Sequence, residues 1–583
     1  MWLDGSVRLE SALNVLLLVD LFGYLSIVLH GLVIVAQSIA VGSVLFLLVL
    51  ARPFAPRLAE GAEIARRAAR MGGWSAAALA LGEVVSVAMQ CAVLMSTLDA
   101  PLADVIGAAF ALAGLLKAAA AAALAAVLFR PRPPRAPALL ALCAVILAAA
   151  LMTTHAAARL DHMPLLLGAS TLHILGAATW IGGIPAFLVA LRLAHGGAAL
   201  RLVGARFSRL SMAGVLMILL SAACFSIFYI GSWQALYGTA YGVMVSAKAA
   251  MFGALLLLGL GNFLVVERLR RDKATSVLRL RRFAEVEIGI GITIFFAAAS
   301  LTSVPPAIDL DQDRVTWSEV VERNLPAWPR LVSPDHDKLA LPALQEQLDR
   351  EGVEQQRAAT RAFVPGSGEL PVRNAEDIAW SEYNHHWAGL FVVLVGVLAL
   401  LHRAGIGWAR HWPLAFLGMA VFLFLRSDPE VWPLGDEGFF ASLRDVEVFQ
   451  HRIFVLLLVA FALFEWGVRT GRLKTQRATL VFPLLTAVGA ALLLTHSHAI
   501  ANVKEQLLIE LSHTPLALAG VAIGWSRWLE LRADGQVRRW AGWVWPASLV
   551  LVGAILVNYR EADAPAASVP FPTVERVGTA SHG

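Results

Sequence analysis

Apolar stretches of roughly twenty residues recur along this chain, and each is long enough to cross the hydrocarbon core of a bilayer as a helix. Fourteen can be counted. Eight lie at about 24–50, 71–97, 103–129, 136–156, 165–191, 208–232, 241–266 and 285–304. Six more follow at about 386–402, 411–426, 446–467, 478–498, 506–527 and 540–558. Of the 583 residues, 58% are hydrophobic and only 15% are charged, where soluble domains carry about 25% charge. So little polar surface cannot cover a water-soluble globule. That excludes an ordinary cytosolic enzyme, a disordered chain and a nucleic-acid binder. The predicted fold is an all-α polytopic membrane protein of about 14 transmembrane helices. They form two bundles (8 + 6) separated by a small extracytoplasmic insert.

The loops give the orientation. Basic residues gather in alternate loops: Arg52 to Arg70, Arg130 to Arg135, Arg192 to Arg209, Arg268 to Arg282, Arg403 and Arg410, Arg469 to Arg477, and Arg527 to Arg539. The intervening loops hold few, among them Arg159, Arg426, Arg444 and Lys504. The positive-inside rule then places the arginine loops in the cytoplasm and both termini outside it. The net charge of +5 needs no nucleic acid to explain it. The opening residues carry Asp4 and Glu10 and do not read as a cleaved signal peptide. The expected divisions are a membrane domain at 1–304, the insert at 305–383, a second membrane domain at 384–560 and an extracytoplasmic tail at 561–583. The insert is polar and proline-rich, with an amphipathic helix predicted at Leu341 to Arg361. Its alternating Asp309, Asp311 and Asp313 lack the glycine and final glutamate of a calcium loop.

Cys91, Cys143 and Cys224 are far apart and lie in apolar surroundings. They point to neither a disulfide framework nor a thiolate zinc site. No phosphate-binding GxxxxGK[ST] loop is present, so nothing indicates ATP hydrolysis. Histidine carries the stronger signal. Ten of the fifteen fall in the outer leaflet or at its edge: 30, 155, 162, 173, 385, 386, 451, 496, 498 and 513. A single membrane histidine usually bonds a neighbouring helix. Ten at one depth point to cation binding, since imidazole suits copper, zinc, nickel and iron. The candidate metal ligands are His30, His155 and His173 in the first half. In the second they are His386, His451, His496, His498 and His513. Met152 shares a helical face with His155 at i, i+3 spacing. Glu447 and Glu510 stand one turn from His451 and His513 and could hold the second nitrogen of a bound imidazole. Glu83, Lys117 and Lys248 are buried charges that read as a relay or as an internal ion pair, with Glu83 able to meet either lysine. Trp180 follows His173 on the same span, and small residues beside it permit close helix approach.

These residues fall in motifs that resemble the copper resistance protein D family. They are LHILGAATWIGGIPAF (172–187), RFSRLSMAGV (206–215), YGTAYGVMVSAKAAMFGALLLLGLGNF (237–263), RFAEVEIGIGI (282–292) and TSVPPAID (302–309). With the first span, His30 to Pro53, the resemblance covers about residues 20–310. It implies an inner-membrane protein that moves copper or receives it from periplasmic partners such as a copper chaperone. It carries over to His173, Trp180, Gly182, Gly183, Lys248 and Asn262. The second half, with THSHAIANVKEQLLIELSHTPLALAG (495–520), resembles the tail of longer members. Few methionines lie on the outer side (Met95, Met152 and Met163), which favours imidazole over thioether ligands.

Three readings follow. The first is a non-enzymatic copper transporter in the inner membrane, with copper ions as cargo and membrane lipid around it. The second is a haem b protein or metal-loading redox enzyme. In it His155 or His173 pairs with His30, and His451 or His513 with His496, as axial ligands. The third is an assembly subunit whose polar groups only pack helices. No catalytic residue is assigned.

Overall fold

Leucine-, alanine- and valine-rich runs of this length satisfy their own backbone hydrogen bonds as helices, and the structure, a computed structural model, is predominantly helical over its described residues. These are 3–98, 101–131, 135–272, 275–310, 314–334, 375–428, 431–435, 437–443, 446–495 and 503–560. The principal helices of the first half are α1 (Leu3–Phe46), α2 (Gly61–Leu98), α3 (Ala109–Leu128), α4 (Ala136–Leu151), α5 (Met163–Trp180), α6 (Ile184–Leu193), α7 (Gly197–Phe225), α8 (Ala240–Arg271) and α9 (Leu278–Leu301). Those of the second half are α10 (Ala375–Arg403), α11 (Ala415–Arg426), α12 (Val446–Arg469), α13 (Val481–Leu493), α14 (Val503–Arg532) and α15 (Gly535–Val557).

Among the described residues, 12 helical segments are long and apolar enough to cross a membrane. Two predicted spans are not among these 12. Ala136–Leu151 is apolar but short. It stops because Thr153 and Thr154 turn their hydroxyls back onto the Ala150 and Leu151 carbonyls, satisfying acceptors that a longer helix would use. The predicted span at 506–527 lies within the helix α14, and the side chains of part of its first turns lie outside the described residues. Large apolar side chains such as Leu81, Leu257 and Leu456 face outward, as a lipid-facing surface requires.

The expected division into eight and six helices has no gap between its parts. One core runs from Val44, Phe46 and Leu79 through Trp180 to Ala490, Ala517 and Val521. A second joins Val395, Trp412, Phe416, Ile523 and Trp545. Helix α14 contributes to both. Its Trp525 lies over Gly289 of α9 so closely that a Cβ there would meet the indole at 1.8 Å. At the arginine-bearing end Trp528 donates to Glu285 at 3.0 Å, and Arg282 donates to the Arg532 carbonyl at 2.9 Å.

Within the first half, glycines set the helix spacing. A Cβ on Gly42 would lie 2.3 Å from the Ala178 carbonyl oxygen, and one on Gly182 would lie 1.9 Å from that of Ser38. So α1 touches the α5–α6 break backbone to backbone. Gly176 and Gly214 do the same for α5 and α7, at 2.7 and 2.9 Å. Gly42→Ala and Gly182→Ala are expected to destabilise the bundle by about 1–3 kcal/mol each. Gly168→Ala, with nothing within 4 Å, should be neutral. Melting temperature and monodisperse yield in detergent check both.

Candidate functional site

The backbone contact of Gly176 with Gly214 brings α5 and α7 near enough for His173 Nδ1 to reach Ser221 Oγ at 2.9 Å. Ser221 has one proton, and it goes to the Ile218 carbonyl at 2.8 Å. The hydroxyl must therefore accept from the imidazole, which puts the ring proton on Nδ1 and a lone pair on Nε2. Phe225 stands edge-on to the ring at 5.6 Å, and Lys248 of α8 lies within Coulomb range. Ser221 is not legible as a partner in sequence, because α7 offers several serines and only the crossing selects one.

His155 repeats this arrangement at the membrane edge. It opens a short helix, His155–Ala158. The Leu301 and Thr302 carbonyls accept its proton, while its Nε2 is buried without a partner. Burial, aided by Arg159, holds its imidazole below the usual range. The predicted pairing with Met152 does not form a helical face, because the Thr153–Thr154 turn separates them. Met152 is exposed.

His30 of α1 lies within Coulomb range of Lys117. Lys117 Nζ meets Glu83 Oε1 at 2.5 Å, both side chains almost fully buried. Of the two lysines open to Glu83, the α3 residue is the partner, and Gly114 permits it by letting Val87 and Glu83 close onto α3.

In the second half, His385, His386 and His513 converge on Tyr559. The His385 ring stacks on it at 4.0 Å, His513 stands edge-on at 6.5 Å, and His386 Nε2 donates to its carbonyl at 2.8 Å. His386 Nδ1 also accepts from the Arg330 backbone N–H at 2.7 Å. Both ring nitrogens are thus spent on backbone groups, so in this conformation His386 has no lone pair for a metal. It anchors the insert, whose Ala327 N–H also reaches Asn558 Oδ1 at 3.1 Å. Asp309 pairs with Arg159 at 2.5 Å, which fits a structural role better than a calcium loop. Asp311, Asp313 and the predicted helix at 341–361 lie outside the described residues.

His451 Nδ1 meets Asp428 Oδ1 at 2.6 Å. A carboxylate does orient this imidazole, but it comes from the end of α11 rather than from Glu447. Glu447 and Glu510 fall on α12 and α14 with side chains outside the described residues, and His496 and His498 lie outside them altogether. Among the described residues, no three His, Cys, Asp or Glu side chains form a group able to hold a metal ion. Among the described candidates, His385, His386 and His513 gather about Tyr559 without forming a cage.

Trp180 is not a partner of His173. About two turns deeper, it stands against Phe252 and hydrogen-bonds Glu287 of α9. Asn262 Nδ2 donates to the same carboxylate at 2.5 Å. Glu287, only 3% exposed, is absent from the sequence-derived candidates, although the fragment AEVEIG places a carboxylate inside an apolar run.

Fold and site together define a polytopic helical membrane protein with imidazoles held by hydrogen bonds between helices and a separate carboxylate, Glu287, enclosed among them. Residues 201–301 match the family model described as Copper resistance protein D. Over 138 residues the chain is 33% identical to Copper transport protein CutJ of Bacillus subtilis (strain 168), covering 23% of this chain and 24% of that protein. The chain thus spans about a quarter of that curated relative. No solved structure matches. The matched segment carries Ser221, Lys248, Asn262 and Glu287, and there the chain is similar to the copper resistance protein D family.

Two predictions follow from the buried charges. Glu83→Gln or Lys117→Met alone strands one ion and should cost about 3–5 kcal/mol, with the double replacement recovering most of it. Thermal unfolding in detergent reads this. For His155 the folded value lies below the unfolded one of 6.5. Its contribution is therefore present above that pH and lost as pH falls. The melting-temperature advantage of wild type over His155→Gln should shrink between about pH 7.5 and about pH 5.5.

Proposed function

We propose that this protein transports copper through the inner membrane, taking the ion at the histidine-bearing end, which faces the periplasm. The observation that carries the reading is the tautomer of His173. Ser221 accepts from Nδ1, so Nε2 is kept unprotonated and able to donate to a metal. A copper ion needs such a nitrogen, and fixing the other nitrogen by a hydrogen bond is how imidazole ligands are oriented. His155 offers a second unprotonated nitrogen, and that one is buried without a partner. Both the family match and the relative's printed name support copper as cargo.

The positive-inside rule supports the orientation, because the arginine loops lie at the opposite end from His155 and His173. A periplasmic copper chaperone is the natural donor for so shallow a site. Nothing in the reading requires a covalent step, and no catalytic residue is assigned.

Copper analysis and an absorption spectrum of the purified protein, with copper uptake into proteoliposomes, test this. His173→Ala should lose most copper uptake, and Ser221→Ala should reduce it several-fold by freeing the tautomer, roughly the value of one hydrogen bond. His386→Ala should lower thermal stability more than uptake. A Soret band in the wild-type protein with no copper uptake would replace copper transport by haem ligation.

A further inference from the structure

Deeper than His173, five helices leave a small cavity of about 50 Å³. Its polar lining is Glu287, Asn262, Ser208, Ser211 and Trp180. A water needs roughly 10–15 Å³ of such space, so the cavity has room for a few waters or for one ion with a water. Two observations show that the lining lacks positive charge. Glu287 is almost fully buried, and the partners that reach its carboxylate are both neutral, the Asn262 amide and the Trp180 indole. Asn262 Oδ1 and Ser211 Oγ are buried with no hydrogen-bond partner. A buried carboxylate is ordinarily paired, and buried oxygens are ordinarily bonded.

The charged groups of the surrounding helices are elsewhere. On α8, Lys248 is about four turns nearer the histidine end, and Glu267 pairs with Arg270. On α9, Arg279 lies over Phe283, Arg281 donates to the Leu191 carbonyl, and Arg282 pairs with Glu285. Arg206 of α7 lies over Phe54, Arg209 bonds the Ala205 carbonyl, and Arg192 of α6 faces Glu285. From α14, Arg532 also reaches Glu285. None of them lines the cavity.

The donor set is all oxygen: one carboxylate, one amide carbonyl and hydroxyls. Carboxylate and carbonyl oxygens suit hard cations, while soft cuprous copper selects sulfur. A single carboxylate balances one positive charge. We infer that this cavity binds one monovalent cation, either a proton held on Glu287 with water or a sodium ion held by the oxygens, and that copper is not its ligand. The site goes beyond the copper-transport reading and stands without it.

Infrared difference spectroscopy on the full chain in lipid nanodiscs tests the inference. In sodium-free buffer, acidification should raise a protonated-carboxyl carbonyl band in wild type that Glu287→Gln lacks. Adding sodium chloride at constant pH distinguishes the two sources. Loss of the band, not reproduced by choline chloride, identifies sodium, and an unchanged band identifies the proton. Ser211→Ala, which removes only an unpartnered oxygen, should shift the proton or sodium midpoint roughly fivefold. It keeps the test open if Glu287→Gln does not fold. Wild-type spectra insensitive to pH and sodium, or superimposable on those of Ser211→Ala throughout, would overturn the site. So would a response to cuprous copper that Ser211→Ala weakens. Because none of these readouts depends on uptake, failure here is separable from failure of the copper reading in His173→Ala.

Discussion

Helix α5 runs so close to α1 on one side and α7 on the other that backbone meets backbone, at Gly182 against Ser38 and at Gly176 against Gly214. Lipid gives apolar helices little reason to associate, so packing at this distance is what holds such a bundle together. The same approach fixes the chemistry. A side chain at Gly176 or Gly214 would force α5 and α7 apart, and the His173–Ser221 bond would be lost with the contact. The W-x-G-G run is therefore first a packing device. The Gly176–Gly214 contact, one turn earlier on α5, is what also decides where a nitrogen lone pair lies.

Ionisable groups in the interior follow from the same constraint. Each is costly in an apolar medium and persists when its neighbours compensate it. Glu83 and Lys117 compensate one another directly. Glu285 is shared among arginines of α9 and α14 and the Trp528 indole, tying the two halves together. Asp428 holds His451 and lies beside Arg452. Glu287 has only neutral partners and a cavity, and that contrast sets it apart from the rest.

Much of the plan is legible in the sequence, and the losses are informative. Helix type and position read well because apolar runs near twenty residues long leave few alternatives. Partners do not. Met152 and His155 have helical spacing, but two threonine hydroxyls end the helix between them. His386 looks by sequence like the other candidates, yet a backbone N–H from the insert and the Tyr559 carbonyl just past α15 occupy both its nitrogens. Trp180 follows His173 in the motif but serves Glu287.

The amino-acid sequence alone determined that this is a many-helix membrane protein and which of its loops carry positive charge. These are one-dimensional properties: apolar length, charge alternation and rise per residue. Only the tertiary structure decided which lysine neutralises Glu83, which serine sets the tautomer of His173, and that Glu287 faces a cavity instead of a cation. Those outcomes depend on the rotation of each helix about its axis and on where helices cross, and these are set by contacts between residues distant in the chain.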